Sequence, residues 1–367
     1  MSEPNETRQT PPDGAEVRPA SEPQPGQPQS AEKQPSSMAG ANTVPVSSQP
    51  AGGADRPAAP PRGGESSMPA ALARGSVPTI HYQLSYVAQN PERGPRGAIV
   101  LLHDLPGGAF VWRRVMPALA ATGRAVYAFD MLGYGASDHP WPSDTTVWGH
   151  ADNLAPALRA LGLDDVILVG IGVGGGVAQV LATRLYRASI GGLALINTYA
   201  YGYAYAADWP MTKMEQRHDP DAPRHVTNDQ LLAELRATLP NGAVDARALS
   251  GSALEAYLSE WNSALGREMF FQHIRNMLPD YLNAVASDLR HLTMPTLLVW
   301  GEQDHVTPAP LGQRLARDIP GADLAVVANA GHMILDEAPD RVGALLVEFA
   351  AKVKRQATAG VASARSA

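Results

Sequence analysis

The stretch Val166-Ile-Leu-Val-Gly-Ile-Gly-Val-Gly-Gly-Gly176 constrains the fold more than any other part of the chain. Four apolar residues run straight into a glycine-rich turn, and an apolar, helix-forming stretch over 177–186 follows. An unbroken apolar run bounded in this way fits a strand buried on both faces of a parallel sheet. The turn after it has the layout of a nucleophile elbow, G-x-S-x-G. There the attacking residue sits on a strained strand-to-helix corner, and the flanking glycines let strand and helix close up. Gly170 and Gly174 fill the flanking places and Gly172 fills the centre. A glycine at that centre can form no side-chain acyl intermediate.

The same residues also spell G-x-G-x-x-G through Gly170, Gly172 and Gly175, the fingerprint of a dinucleotide-binding turn. That fingerprint wants an acidic residue about 20 positions on to hold the ribose, but the next apolar run ends in Asn197-Thr198. It also usually follows the first strand of its domain, whereas strand-like runs at 98–102 and 125–129 come earlier here. The expectation is therefore no cofactor. No ligand spacing points to a metal. The absence of cysteine excludes disulfides, a thiol nucleophile and Cys-based zinc sites.

Composition divides the chain. Fourteen of its 32 prolines precede residue 71 and no Phe, Trp or Tyr precedes Tyr82, so residues 1–75 cannot bury enough apolar surface to offset their ordering entropy. They are expected to form a disordered tail, with a second over 354–367 and one α/β domain over 76–353. No apolar leader follows Met1 and no run approaches the ~18 residues of a membrane span, so a cytoplasmic protein without a membrane partner is expected. A net charge of −7 with no basic cluster argues against nucleic acid as a partner. No pattern specifies an oligomeric state.

Apolar runs at 79–87, 98–102, 125–129, 166–169, 193–196, 296–300 and 324–327 alternate with helix-like stretches. This βαβα order predicts a mostly parallel sheet with helices on both faces, and sites in such sheets form at the carboxyl ends of the strands. At those ends stand His103-Asp104-Leu105-Pro106-Gly107-Gly108, the segment from Asp130 to Asp138 with Gly133, Gly135 and Ser137, Gly301-Glu-Gln-Asp304-His305, and Ala330-Gly331-His332-Met333.

Taken with the elbow, these segments resemble the α/β-hydrolase superfamily, especially its lid-bearing members, over most of residues 79–352. The resemblance implies an α/β-hydrolase fold with a helical cap insertion. It also implies a triad in the chain order Ser, Asp, His, whose matching positions are Gly172, Asp304 and His332. The acid would orient the imidazole, and the imidazole would take a proton from water or substrate in place of the missing hydroxyl. The backbone N–H groups of Leu105 and Val173 would form the oxyanion hole. Asp104 departs from the His-Gly common in such loops. An ionised carboxylate aimed inward there would repel a developing oxyanion. His305 and His139 read as surface histidines.

The pair His103-Asp104, together with Gly-Ile-Gly-Val-Gly at the elbow, also resembles the N-Myc downstream-regulated (NDR) family, which keeps the hydrolase fold and is regarded as non-enzymatic. That family lacks the late acid and histidine which Asp304 and His332 supply here.

The insertion over 198–293 is expected to be the cap, with helices near 228–236, 254–265 and 267–277 and Asn228 as an N-cap. Its entry carries Tyr199, Tyr201, Tyr203, Tyr205 and Trp209, which would either line a pocket for a small molecule or pack cap on core. Two functions stay open. One is a small-molecule enzyme that uses the His332 and Asp304 dyad as a general base, for water activation, a lyase step or proton abstraction. The other is a nucleophile-lacking pseudoenzyme that binds a ligand or serves as a scaffold. A third route, attack by Asp104 itself, would leave an ester on that residue.

Overall fold

The computed structural model describes residues 72–202, 221–277 and 279–364, all within the unit Ala58–Ala367. Strands β1 (Ala73–Pro78), β2 (Gln83–Gln89), β3 (Ile99–Leu102), β4 (Val126–Phe129), β5 (Val166–Ile171), β6 (Ile190–Ile196), β7 (Thr296–Gly301) and β8 (Asp323–Val327) form one sheet in the order β1-β2-β4-β3-β5-β6-β7-β8. From β4 to β8 the pairing is parallel. Every residue of β3, β4, β5 and β7 is buried. Each such Val, Leu or Ile contributes about 1.5–3 kcal/mol, and the lack of a polar face is why these strands read as continuous apolar runs.

The run at 79–87 is not one strand. Residues 79–82 form a turn in which the Thr79 N–H donates to the Tyr82 carbonyl at 2.7 Å, and β1 pairs antiparallel with β2. Strand β1 therefore begins inside the tail expected over 1–75. It is mostly exposed and is ordered by backbone pairing, which apolar composition does not register.

Helices α1 (Met116–Ala120), α2 (Val147–Ala160) and α3 (Val173–Val180) connect the first strands. Between β6 and β7 the chain forms α4 (Ala222–His225), α5 (Asn228–Thr238), α6 (Gly251–Ser259), α7 (Ala264–Asn276) and α8 (Asn283–Ala286). Helices α9 (Ala309–Asp318), α10 (Ile334–Glu337) and α11 (Pro339–Ala364) complete the domain. The tail expected from Lys354 thus begins inside α11. Helix α1 packs on α11, and α2 packs on α3. Among the described residues no helix is long and apolar enough to cross a membrane.

The inserted helices depart from expectation in two places. The cap of α5 is Thr227, not Asn228: its side chain accepts from the Gln230 N–H, while the Gln230 side chain accepts from the Thr227 N–H. This reciprocal capping box leaves Asn228 in the first turn, where it bonds Trp261 and Arg267. The helix expected over 254–265 breaks after α6, and α7 restarts with Ser263 as its cap, accepting from the Gly266 N–H at 2.9 Å.

After β3 the chain turns to β4 on one side, and after that it crosses to β5 on the other. The carboxyl ends of β3 and β5 therefore face a crevice at the point where the winding reverses, the place such sheets offer to a ligand.

Candidate active site

Gly172 forms the corner between β5 and α3 with φ 53 and ψ −117, a backbone region that side-chain-bearing residues enter only at a cost of about 1–3 kcal/mol. Its N–H donates to the Ile196 carbonyl at 3.2 Å, and its carbonyl accepts from the Thr198 hydroxyl at 2.8 Å. The corner is tight around it. A Cβ on Gly174 would lie 2.4 Å from the Leu102 carbonyl oxygen, so the helix can approach β3 only without a side chain there.

The space that a side chain on Gly172 would fill is already taken. An ideal Cβ on this residue would stand 2.0 Å from Cγ of Asp104 and 2.0 Å from its Oδ2. The Asp104 carboxylate, carried by the loop after β3, reaches across the crevice into the β5 corner. Its Oδ1 accepts from the Leu105 N–H at 2.8 Å and from the Val173 N–H at 2.8 Å. Those are the two donors that the α/β-hydrolase resemblance implies for an oxyanion hole, and here they hold a carboxylate oxygen. The Asp104 carboxylate is therefore aimed inward. The negative group at the donors is Asp104 itself.

His103 sets this loop from behind. It is fully buried, and its Nε2 accepts from the Met131 N–H at 3.0 Å. The proton is thereby left on Nδ1, which donates to the Asp104 carbonyl at 3.0 Å. Burial lowers its pKa, against smaller opposing contributions from the Asp104 carbonyl and the charges of Asp130 and Asp104. The ring is thus a neutral strut between the loops after β3 and β4 and does not line the cavity.

His332 lies on the other side of the carboxylate, with Nε2 3.2 Å from Asp104 Oδ2 and Nδ1 3.0 Å from Asp304 Oδ2. Asp304 is fixed by the N–H groups of Val306 and Thr307 on Oδ1, at 2.8 and 2.9 Å, and by the Thr307 hydroxyl on Oδ2 at 2.7 Å. The side chains of His332 and Asp304 are 3% and 0% exposed, against 13% for Asp104, so Asp104 is the most exposed of the three. Asn197, at the end of β6, ties the site together. Its amide donates to the carbonyls of Gly331 and His332, and its oxygen accepts from the Gly301 N–H at 2.9 Å. The insertion reaches the same loop, because the Gly242 carbonyl accepts from the His332 N–H at 2.8 Å.

Burial alone would lower the His332 pKa, but the Asp304 charge and hydrogen bonds to Asp104 and Asp304 raise it to about 10. At neutral pH the ring is an imidazolium clamped between two carboxylates. Since the folded pKa lies above the ordinary 6.5, the stabilisation is complete below that pH and drains away as pH rises through about 10. Thermal unfolding followed from neutral pH to about pH 10 should show this loss, and in Asp104→Asn, which removes one of the groups raising the folded-state pKa, the loss should be smaller and should level off at lower pH. Superimposable profiles for the two proteins would contradict the clamp.

A cavity of about 30 Å³ opens against the carboxylate, lined by Asp104, Leu105, Val111, Ile171, Tyr257 and His332 among others. It has room for about two waters. Its outer wall holds a cluster that the sequence reading missed. Asp336 accepts from Arg113 Nη2 at 2.5 Å and from the Tyr257 hydroxyl at 2.7 Å, and the Arg113 guanidinium lies 4.1 Å over the Phe110 ring. Tyr257 comes from α6, so this cluster joins insertion to core beside the site. Asp336 follows His332 by four positions, the only local hint of it. A larger open groove of about 610 Å³, lined by Asp165, Arg187 and Pro295 among others, lies at the amino ends of β6 and β7, away from these groups.

The aromatic entry of the insertion behaves differently from a pocket lining. Tyr199 is buried beside Gly176, and burial, followed by the Asp104 charge, raises its pKa. Tyr201 packs under the Arg314 guanidinium at 3.7 Å. Neither belongs to the cavity wall, while Tyr203, Tyr205 and Trp209 lie outside the described residues. His305 is exposed, and His139 is half-buried with Nδ1 2.6 Å from the Ser137 carbonyl. Among the described residues no group of side chains could hold a metal ion.

A doubly flanked parallel sheet, a glycine corner at the winding reversal and an Asp-His pair at the ends of later strands define a protein class: the chain belongs to the alpha/beta hydrolase fold family, whose model matches residues 97–339. Among its relatives are a hydrolase and a dehalogenase. The chain is 28% identical to a 2-hydroxy-6-oxononadienedioate/2-hydroxy-6-oxononatrienedioate hydrolase of Burkholderia vietnamiensis over 69% of this chain and 86% of that protein. It is 26% identical to haloalkane dehalogenase 2 of Mycobacterium bovis over 70% of this chain and 89% of that protein. Among solved structures it superposes on a haloalkane dehalogenase of Agrobacterium tumefaciens with a TM-score of 0.68 and 18% identity, covering 77% of this chain and 98% of that one. At that identity the superposition speaks for the fold alone.

Proposed function

We propose that this chain is a hydrolase of a small, largely apolar organic molecule, working without a serine, in which His332 moves protons and Asp304 orients it. The observation that carries this reading is the ring of His332. Its Nδ1 is held on Asp304 at 3.0 Å, and its Nε2 is aimed at the group seated on the Leu105 and Val173 N–H pair. A proton-carrying imidazole, its orienting acid and a preorganised donor pair converge on one small cavity, which is the set of parts that water-driven bond cleavage needs. The names of the relatives, a dienedioate hydrolase and a haloalkane dehalogenase, favour the same kind of chemistry on small molecules.

The test is turnover of two probes, p-nitrophenyl acetate and bromoethane, by the wild type and by His332→Ala. We expect wild-type turnover of at least one probe and a loss of about 10²–10⁴-fold in the variant, with the circular dichroism spectrum unchanged. Equal rates in both proteins would refute the role of His332.

A second reading has its own support: a pseudoenzyme, in line with the likeness to the NDR family at His103-Asp104 and Gly170 to Gly174. A carboxylate already bonded to both N–H donors leaves an incoming carbonyl no place on them. On this reading neither probe turns over, and the cavity only binds.

A further inference from the structure

We propose that Asp104 is the nucleophile, supplied to the elbow by the loop after β3, and that the substrate is a short alkyl electrophile which it converts to an aspartyl ester. The proposal rests on the hydrolytic reading above and names the attacking group and substrate class within it.

Three features of the geometry lead there. The carboxylate occupies the volume that a side chain on Gly172 would occupy, with its Cγ 2.0 Å from that ideal Cβ. The elbow thus has a functional group at its centre although its own residue has none. Next, Oδ1 sits on the Leu105 and Val173 N–H groups, each at 2.8 Å. If Cγ becomes tetrahedral, negative charge develops on that oxygen, against donors already in place. Finally, Oδ2 lies on the side of His332 Nε2, and the cavity there is walled by Leu105, Val111, Ile171 and Leu335. An acyl substrate would find both donors occupied, whereas an alkyl carbon needs none of them.

For a bromoalkane the steps balance as follows. Oδ2 attacks the carbon bearing bromine, the C–O bond forms as the C–Br bond breaks, and bromide leaves with the bonding pair. Asp104 is now a neutral ester, so His332 loses one of its two flanking negative charges and releases its proton to solvent. The neutral Nε2 then takes a proton from water as the hydroxide attacks Cγ. The oxyanion rests on the two N–H donors. Collapse breaks the Cγ–Oδ2 bond and expels the alcohol, which receives the proton from His332. The new Asp104 carboxyl proton returns to the imidazole, restoring the resting ion set. The net reaction is alkyl bromide plus water to alcohol, bromide and a proton. An imidazolium cannot deprotonate water, and on this route the ring becomes a base only after Asp104 has been alkylated. The cavity of about 30 Å³ selects a short chain.

The experiment is a single turnover of bromoethane by excess wild-type protein in ¹⁸O-labelled water, read by bromide release and by mass spectrometry of the peptide containing Asp104 and of the ethanol. We expect one ¹⁸O in the Asp104 carboxylate and none in the first ethanol, because Oδ2 leaves with the product. In His332→Ala the same peptide should instead retain an ethyl group. Ethanol labelled in the first turnover, with Asp104 unlabelled, would overturn the inference while leaving the hydrolytic reading standing. Absence of bromide release would overturn the alkyl substrate class, and turnover of p-nitrophenyl acetate by the same preparation would show whether the hydrolytic reading survives it.

Discussion

Gly172→Ser is expected to lose roughly 2–6 kcal/mol of stability and to show no esterase burst. A serine at the elbow centre would be the obvious way to complete a triad, and the position of Asp104 forbids it. The new Cβ would fall 2.0 Å from the Asp104 Cγ, so the carboxylate would have to leave two backbone donors and its imidazolium partner. Overpacking costs about 1–3 kcal/mol and a side chain at φ 53 adds backbone strain of similar size. Combining the change with Asp104→Ala removes the clash and vacates the Leu105 and Val173 N–H groups. That double variant should recover most of the stability lost to crowding and should show a burst with p-nitrophenyl acetate. Urea unfolding and burst kinetics on the single and double variants measure both effects. A burst from the single variant would mean that Asp104 swings aside freely, contrary to its bonding.

Asp304→Asn should lower turnover by about 10³–10⁴-fold with little change in the cavity. Asp304 holds the Nδ1 proton of His332 on Oδ2, while Val306 and Thr307 saturate Oδ1. An amide keeps the oxygen for those backbone donors but presents an NH₂ group to the ring. The imidazole is then driven to carry its proton on Nε2 and cannot accept one from water. The variant also removes the leading upward contribution to the His332 pKa, the Asp304 charge, so the base-limited arm of the pH–rate profile should move. A loss below about tenfold would reduce Asp304 to a structural residue.

Much of the frame was legible in the chain because its signals are local. Strands buried on both faces must be continuously apolar, and a corner as tight as Gly170 to Gly174 tolerates little but glycine. Other features escaped for equally physical reasons. Thr227 and Asn228 are both good caps, and only the backbone geometry of Thr227, with its reciprocal bond to Gln230, decides between them. Strand β1 is held by pairing with β2 rather than by burial. The Arg113, Asp336 and Tyr257 cluster draws on three segments, so no spacing reveals it. Asn197 looked only like the absence of an acidic residue, yet it bonds the β7 end and the His332 loop together.

The amino-acid sequence by itself determined the layered sheet, the glycine corner and the carboxyl-end positions of Asp104, Asp304 and His332, since hydrophobic period, turn chemistry and chain order settle those without long-range detail. Only the tertiary structure decided what fills the corner. Asp104 and Val173 are 69 positions apart, and the direction of a side chain on a loop follows from which donors and charges the folded chain places within its reach. Two backbone N–H groups and one imidazolium drew the carboxylate inward, into the space that Gly172 leaves empty.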